Sequence, residues 1–311
     1  VRHPIHDEGT VGMIPLEQVM NMVSDGATLF LLAAGLAVVF GLMNIINFAH
    51  GALIMVGAYG ASAAADQSAS PWHAIPLGVV FGVVVGLLVE TLVVRWLHDR
   101  PWDSILATIG IGLVLVAAVS IVFGLENKSV GSPLSGHLDL GFVSYSKYRL
   151  FLIAVSAALF VALWAITHRT RLGLTARAVI ENESLASTHG INSRRVRRWT
   201  FVTGAALAGL AGSLMAPLAA VNPNMGDDYL VSSFMVVLVA SGSVGALFGT
   251  SLLFGGLASL VSYITSPIIG SVTIIILTAA ILRMRPEGLN ALAPLGRLRR
   301  GPATVSVSDE A

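Results

Sequence analysis

The chain has 311 residues, of which 55% are apolar and only 11% charged, and its mean hydropathy is +0.81. A soluble domain carries about 25% charged residues, so these charges are too few to coat a water-facing surface, and an all-α, polytopic integral membrane protein is expected. The formal net charge of +1 names no partner by itself, and the absence of cysteine excludes disulfides, thiolate chemistry and thiolate metal sites.

The first 18 residues are polar and mixed in charge, which reads as a loose N-terminal tail (1–18) with no cleavable leader. Apolar runs, set against roughly 20 helical residues per crossing, then give the spans. These are Val19–Met43, Phe48–Ala65, Ala74–Trp96, Ser104–Gly124, Tyr148–His168, Trp199–Val221, Tyr229–Leu247, Gly249–Thr265 and Ile268–Met284. The last two are short enough to be one broken pair, so the expectation is 8–9 transmembrane helices. Residues 19–290 are expected to form the membrane domain and 291–311 a C-terminal tail.

Between the first two spans lies Phe40-Gly-Leu-Met-Asn-Ile-Ile-Asn-Phe-Ala-His-Gly51, two asparagines and a histidine bounded by glycines. Unpaired amides cost several kcal/mol in hydrocarbon, and irregular backbone survives there only under protein or beside a water-filled cavity. The stretch 41–51 therefore reads as a broken or re-entrant helix. In a helical bundle such a break points to a transport path. Asn44, Asn47, His50 and Gly51 are the candidate residues that line or shape it. Two readings stand: the amides meet solute, or they only satisfy the helix ends.

Small residues recur every four positions at Gly78/Gly82/Gly86, Ala205/Gly209/Ser213 and Ser241/Gly245/Gly249. Such stripes permit close helix contact, although a chain with 32 glycines also produces them by chance.

Arginine is concentrated at Arg95/Arg100, between Arg169 and Arg198, and from Arg283 to Arg300. If the spans alternate, these zones share one side, which the positive-inside bias makes cytoplasmic, together with the C-terminus. The connection 169–198 is long for a loop between packed spans. Thr175-Ala-Arg-Ala-Val-Ile-Glu-Asn reads as a short amphipathic helix, and Gly190 ends a second one that begins near Glu183. Leu174, Ala178 and Leu185 are candidate apolar anchors for a soluble partner, with Arg177, Glu181 and Asn182 at the rim. The alternative is an interfacial helix touching headgroups.

No phosphate-cradling Gly-x-x-x-x-Gly-Lys-[Ser/Thr] occurs, so this chain cannot itself be the usual ATP-hydrolysing unit. No catalytic residues, cofactor, metal or nucleic-acid partner is expected. Glu90 reads as the single acid well within a span, one to two turns from Arg95, and a structural ion pair is its expected role. A proton-coupled carrier normally shows acids at mid-depth.

Taken together, these segments resemble the permease subunits of ATP-binding-cassette importers for branched-chain amino acids, a family that includes urea and short-amide permeases. The resemblance rests on Gly41-Leu-Met-Asn-Ile-Ile-Asn-Phe-Ala-His-Gly with Gly57-Ala-Tyr59, Leu106-Ala-Thr-Ile-Gly-Ile-Gly112, and Arg171-Leu-Gly-Leu-Thr-Ala-Arg-Ala-Val-Ile-Glu-Asn running on to Gly190-Ile-Asn. Ala208-Gly-Leu-Ala-Gly212 and Arg285-Pro-Glu-Gly-Leu289 complete it. It departs at Ala240-Ser-Gly-Ser-Val-Gly-Ala, where the family usually has a double glycine. Tyr229-Leu-Val-Ser-Ser-Phe is closer to the urea-type branch. The resemblance implies two cytoplasmic ATPase subunits, a second related permease subunit or second copy, an extracytoplasmic solute-binding protein, and surrounding membrane lipid. It also implies that 171–191 engages the ATPase. The solute would be a small amino acid, or alternatively urea or a short amide. An autonomous channel or secondary carrier, or a membrane-embedded enzyme, are the readings of other classes.

Overall fold

The computed structural model describes residues 15–43, 47–66, 70–97, 101–139 and 144–285. The long helices, in chain order, are α1 (Leu16–Met43), α2 (His50–Asp66), α3 (Ala74–Leu92), α4 (Pro101–Phe123) and α5 (Lys147–Arg169). Two short helices follow, α6 (Arg171–Glu181) and α7 (Glu183–Thr188). The chain continues through α8 (Ser193–Met215), α9 (Met225–Ala240), α10 (Val244–Ile264) and α11 (Pro267–Met284). Six of these helices are long and apolar enough to cross a membrane on their own. The exceptions among the long ones are α2 and α9, which are short, and α8, which starts with four arginines. A small antiparallel hairpin, β1 (His137–Asp139) with β2 (Ser144–Ser146), lies between α4 and α5 and has no counterpart in the sequence expectations.

Several boundaries move for identifiable reasons. The seventh and eighth spans do not divide after Leu247. Ser241 and Gly242 both take left-handed backbone (φ 48° and 82°), so α9 stops at Ala240 and residues 244–247 open α10. The Ser243 hydroxyl then caps α10 by accepting the Ala246 N–H. The sixth expected span, α8, begins at Ser193 rather than Trp199, because Asn192 caps it through the Arg195 N–H at 3.0 Å. Its arginines are thus helical, not loop residues.

Two of the three small-residue stripes mate with each other. A Cβ at Gly78 would lie 2.5 Å from Ser213 Cβ, one at Gly82 would lie 2.5 Å from the Ala205 carbonyl, and one at Gly86 would collide with Ala205. The helices α3 and α8 therefore run antiparallel with backbones almost touching. Gly57 brings α2 onto the same spot, since its Cβ would overlap Gly209. The third stripe is no such interface within the chain: Gly249 has nothing within 4 Å of an added Cβ. A second tight crossing joins α1 to α10 at Gly26 and Gly255. The largest fully buried side chains, among them Phe30, Tyr59, Phe201 and Phe254, fill the spaces between these crossings.

Glu90 is paired, as expected, but with Arg198 rather than with nearby Arg95. The Arg198 Nε donates to Glu90 Oε2 at 2.8 Å, and the Glu90 side chain is 3% exposed. The Arg95 guanidinium lies instead over the Trp96 ring, 4.5 Å from its centroid. Nor is Glu90 the only acid within a span: Asp25, already inside the expected first span, lies in the third turn of α1.

Candidate functional site: the membrane break and the coupling helices

Between α1 and α2 the chain reverses inside the bundle. The His50 Nε2 donates to the Leu32 carbonyl at 2.9 Å, and since a carbonyl can only accept, Nε2 carries the proton. Leu32 lies roughly 24 Å along α1 from its first residue and about 16 Å from its last, at 1.5 Å per residue. The start of α2 is therefore near mid-depth. The ring is fully buried, and a Cβ at Gly35 would come within 2.9 Å of it.

Asn47 holds the entrance of α2. Its Oδ1 accepts the Ala49 N–H at 3.1 Å and its carbonyl accepts the His50 N–H at 3.3 Å. This is the Asx geometry by which a short amide replaces missing backbone partners. The Phe48 N–H donates to Thr108 Oγ1 of α4 at 3.2 Å, and Gly112 of the same helix comes up against Ala49. The 41–51 and 106–112 motifs, far apart in sequence, thus meet at one place. Gly51 is needed for close approach: a Cβ there would lie 2.5 Å from the Gly226 carbonyl of α9. The Phe48 ring stacks on Phe234, 5.9 Å away. Of the four candidate path residues, Asn47, His50 and Gly51 come together here, with both side chains engaged in holding the backbone. Asn44 lies outside the described residues.

A feature missed by sequence reasoning lies above the break. A groove of about 250 Å³ between α1, α9, α10 and α11 is lined by Asp25, Thr28, Tyr229, Ser232 and Ser262, among others, and reaches Leu32. It thus touches the residue whose carbonyl His50 holds. Asp25 accepts from Arg149 Nη1 at 3.3 Å, and the same nitrogen donates to Asn21 at 3.2 Å. The hydroxyls come from four helices, so no local motif records them. The three-residue spacings Asp25/Thr28 and Ser259/Ser262 were the available signal.

At the arginine-rich end, α6 folds back under α5. The Thr170 hydroxyl caps α6 through the Gly173 N–H, and a Cβ at Gly173 would lie 2.5 Å from the Ile166 carbonyl, so only glycine fits that turn. Asn182 separates the short helices and caps α7 through the Leu185 N–H at 2.9 Å. Gly190, at φ 80°, ends α7 in left-handed backbone. The Arg197–Glu183 pair at 2.7 Å ties α7 to the start of α8. Val179 and Ala186 face inward, whereas Leu174 and Leu185 are 64% and 57% exposed. Ala178 is half-buried, Glu181 is exposed, and Arg177 donates to the Gly173 carbonyl of its own helix at 3.4 Å. Leu172 and Ile180, outside the expected anchor set, are also exposed.

A bundle of long apolar helices, re-entrant at mid-depth and carrying a helical appendage at one end, defines a multi-pass membrane protein. The chain belongs to the family described as the branched-chain amino acid transport system permease component, whose model matches residues 18–282. It is 27% identical over 293 residues to a probable branched-chain amino acid transport permease protein LivH of Methanocaldococcus jannaschii, covering 88% of this chain and 93% of that protein. The high-affinity branched-chain amino acid transport system permease protein LivH of Salmonella typhimurium is 29% identical over 294 residues, covering 88% and 94%. The corresponding BraD of Pseudomonas aeruginosa is 28% identical over 263 residues, covering 78% and 83%.

Proposed function

We propose that this chain is the membrane-spanning subunit of an ATP-binding-cassette importer for a branched-chain or similar small amino acid. The observation that carries the reading is the family match over residues 18–282, supported by relatives named for branched-chain amino acid transport. Two ATPase subunits would supply hydrolysis, a second permease subunit or second copy would complete the path, and an extracytoplasmic binding protein would deliver the solute. The positive-inside bias makes the arginine-rich end cytoplasmic and places the C-terminal tail inside.

In this reading the ATPases close on ATP and displace α6 and α7. The movement passes along α8 to the break, and the path changes the side to which it opens. Asn44, Asn47, His50 and Gly51 act as a gate frame, and the His50 bond to the Leu32 carbonyl links that frame to the groove that Asp25 and Leu32 line. Leu174, Arg177, Ala178, Glu181, Asn182, Leu185 and Gly190 form the coupling surface. With few fixed charges in the groove, selection rests mainly with the binding protein.

Reconstitution tests the class and the solute together. Proteoliposomes holding the full complex take up leucine or valine only with ATP and the binding protein, and those holding this chain alone take up none. Flux through the chain alone would make it an autonomous channel, and ATP-driven flux of urea in place of amino acids would reassign the solute.

The gate frame has its own test. Replacing Asn47 with leucine removes the acceptor for the Ala49 N–H and leaves a buried donor unpaired, at a cost of about 1–3 kcal/mol. Asn47→Leu should assemble with its partners yet transport several-fold more slowly. Uptake at the original rate would remove Asn47 from the gate.

A further inference from the structure

A second cavity, of about 570 Å³, opens at the arginine-rich end between the foot of α3 and the start of α8. Arg95, Arg194, Arg195, Arg197 and Arg198 line it against a single carboxylate, Glu90. Arg198 is taken by Glu90 and Arg197 by Glu183. Among the described residues no carboxylate reaches Arg95, Arg194 or Arg195. Among the described residues, three guanidinium groups therefore share one concavity without a counter-ion.

The helix that carries most of them makes the imbalance larger. Arg194, Arg195, Arg197 and Arg198 occupy the opening turns of α8, whose first turn has no acidic residue. A helix N-terminus already carries about half a positive charge, so cations there oppose the helix field as well as each other. Arg95, Arg194 and Arg195 are exposed, so water screens part of this repulsion, and an anion seated in the cavity removes the rest. Planar, bidentate guanidinium groups suit phosphate oxygens in particular.

The surroundings identify the source of the phosphate. Trp96 and Trp199 line the cavity and are 70% and 58% exposed. Indole rings of this kind settle at the boundary between hydrocarbon and headgroups. Val80, Val84, Leu88 and Leu92 form an exposed apolar stripe along α3, opposite its glycine face and leading to the cavity. A phosphate at the cavity with an acyl chain along that stripe satisfies both surfaces, which a free ion or a water-soluble partner does not. The volume is in the range of sites that hold small ligands, about 300–1,000 Å³. We propose that this cavity is a specific site for the phosphodiester headgroup of an anionic lipid, with Arg95, Arg194 and Arg195 as its ligands and Trp96 and Trp199 as its membrane-facing walls. This goes beyond the transport reading and does not depend on the solute.

The test uses the full chain purified in neutral detergent, with phosphatidylglycerol and phosphatidylcholine of identical acyl chains as probes. Bound lipid is counted by native mass spectrometry, and brominated versions report proximity through tryptophan quenching. The wild-type chain should retain phosphatidylglycerol about tenfold better than phosphatidylcholine at low salt, with the preference fading as salt rises. The triple variant Arg95→Ala/Arg194→Ala/Arg195→Ala removes only arginines that no carboxylate reaches among the described residues, and it should bind the two lipids equally. The charge-matched variant Arg171→Ala/Arg283→Ala/Arg285→Ala should keep the preference. Equal retention by the wild-type chain would overturn the site, as would a preference that survives the first variant. Release of phosphatidylglycerol by equimolar inorganic phosphate would assign the cavity to a free anion instead. The salt and phosphate measurements need no variant, so they stand even if the triple variant fails to fold.

Discussion

Gly209→Val abolishes the folded subunit, whereas Gly249→Val leaves it intact. Both glycines lie in stripes of the same four-residue spacing, and the structure separates them. A Cβ at Gly209 would come 2.5 Å from the Gly78 carbonyl and 3.1 Å from Gly82 Cα, and on another side Gly57 is already seated on its backbone. Overpacking a core typically costs about 1–3 kcal/mol because side chains can turn aside. Here the obstacles are main-chain atoms of α2 and α3, which have no rotamers. Relief requires α8 to withdraw, which unseats Ala205 and Ser213 as well. Gly249 meets nothing within 4 Å. With a fluorescent protein fused to the chain, size-exclusion chromatography should show the monodisperse peak of Gly209→Val reduced more than about tenfold, while that of Gly249→Val stays within about twofold. Equal peaks from the two variants would mean that α2, α3 and α8 do not cross at this glycine.

Leu185→Glu should produce a well-folded permease that has lost its ATPase subunits. Leu185 is exposed on α7 while its neighbour Ala186 is buried, so a charge there leaves the internal packing alone. Interfaces concentrate their energy in a few buried apolar anchors, and a carboxylate at such an anchor is desolvated without a partner. Co-purification should fall by more than about tenfold, or hydrolysis should continue with no uptake. A segment that merely lay on headgroups would respond to loss of Arg171 or Arg177 and be indifferent to Leu185→Glu; normal assembly and uptake in this variant would establish that view. Ala178→Glu addresses the same surface less cleanly, because Ala178 is half-buried and the added side chain also presses on the chain itself.

The parts that were legible in the sequence are those written locally. Apolar runs marked the nine long helices, Gly190 marked the end of α7, and the Asn47-Phe-Ala-His50 stretch marked the reversal. The parts that were not legible depend on which distant residues become neighbours. Glu90 has Arg95 close by in sequence, yet its carboxylate is reached by Arg198, because the α3–α8 glycine contact fixes which helix stands beside it. The stripe at Ser241 repeats like the other two, but the left-handed pair Ser241–Gly242 cuts it at its first member. The groove above the break gathers isolated hydroxyls from four helices, each unremarkable on its own. Local chemistry sets the elements, while close packing between distant glycines decides the partners.

Backbone-on-backbone seating makes α2, α3 and α8 behave as one stiff lever. Helices ordinarily slide past each other by small readjustments of the side chains between them, and at Gly57, Gly78 and Gly209 there is no such cushion. The same helix α8 starts just past α7 and meets Gly35, beside the His50 ring, at Gly204. That point is roughly 16 Å along the helix from Ser193. A displacement delivered at the short helices therefore arrives at mid-depth without being absorbed on the way. Outside that lever, the left-handed turn at Ser241–Gly242 joins α9 to α10, and a Cβ at Gly242 would meet nothing within 4 Å, so α10 is not seated backbone-on-backbone there.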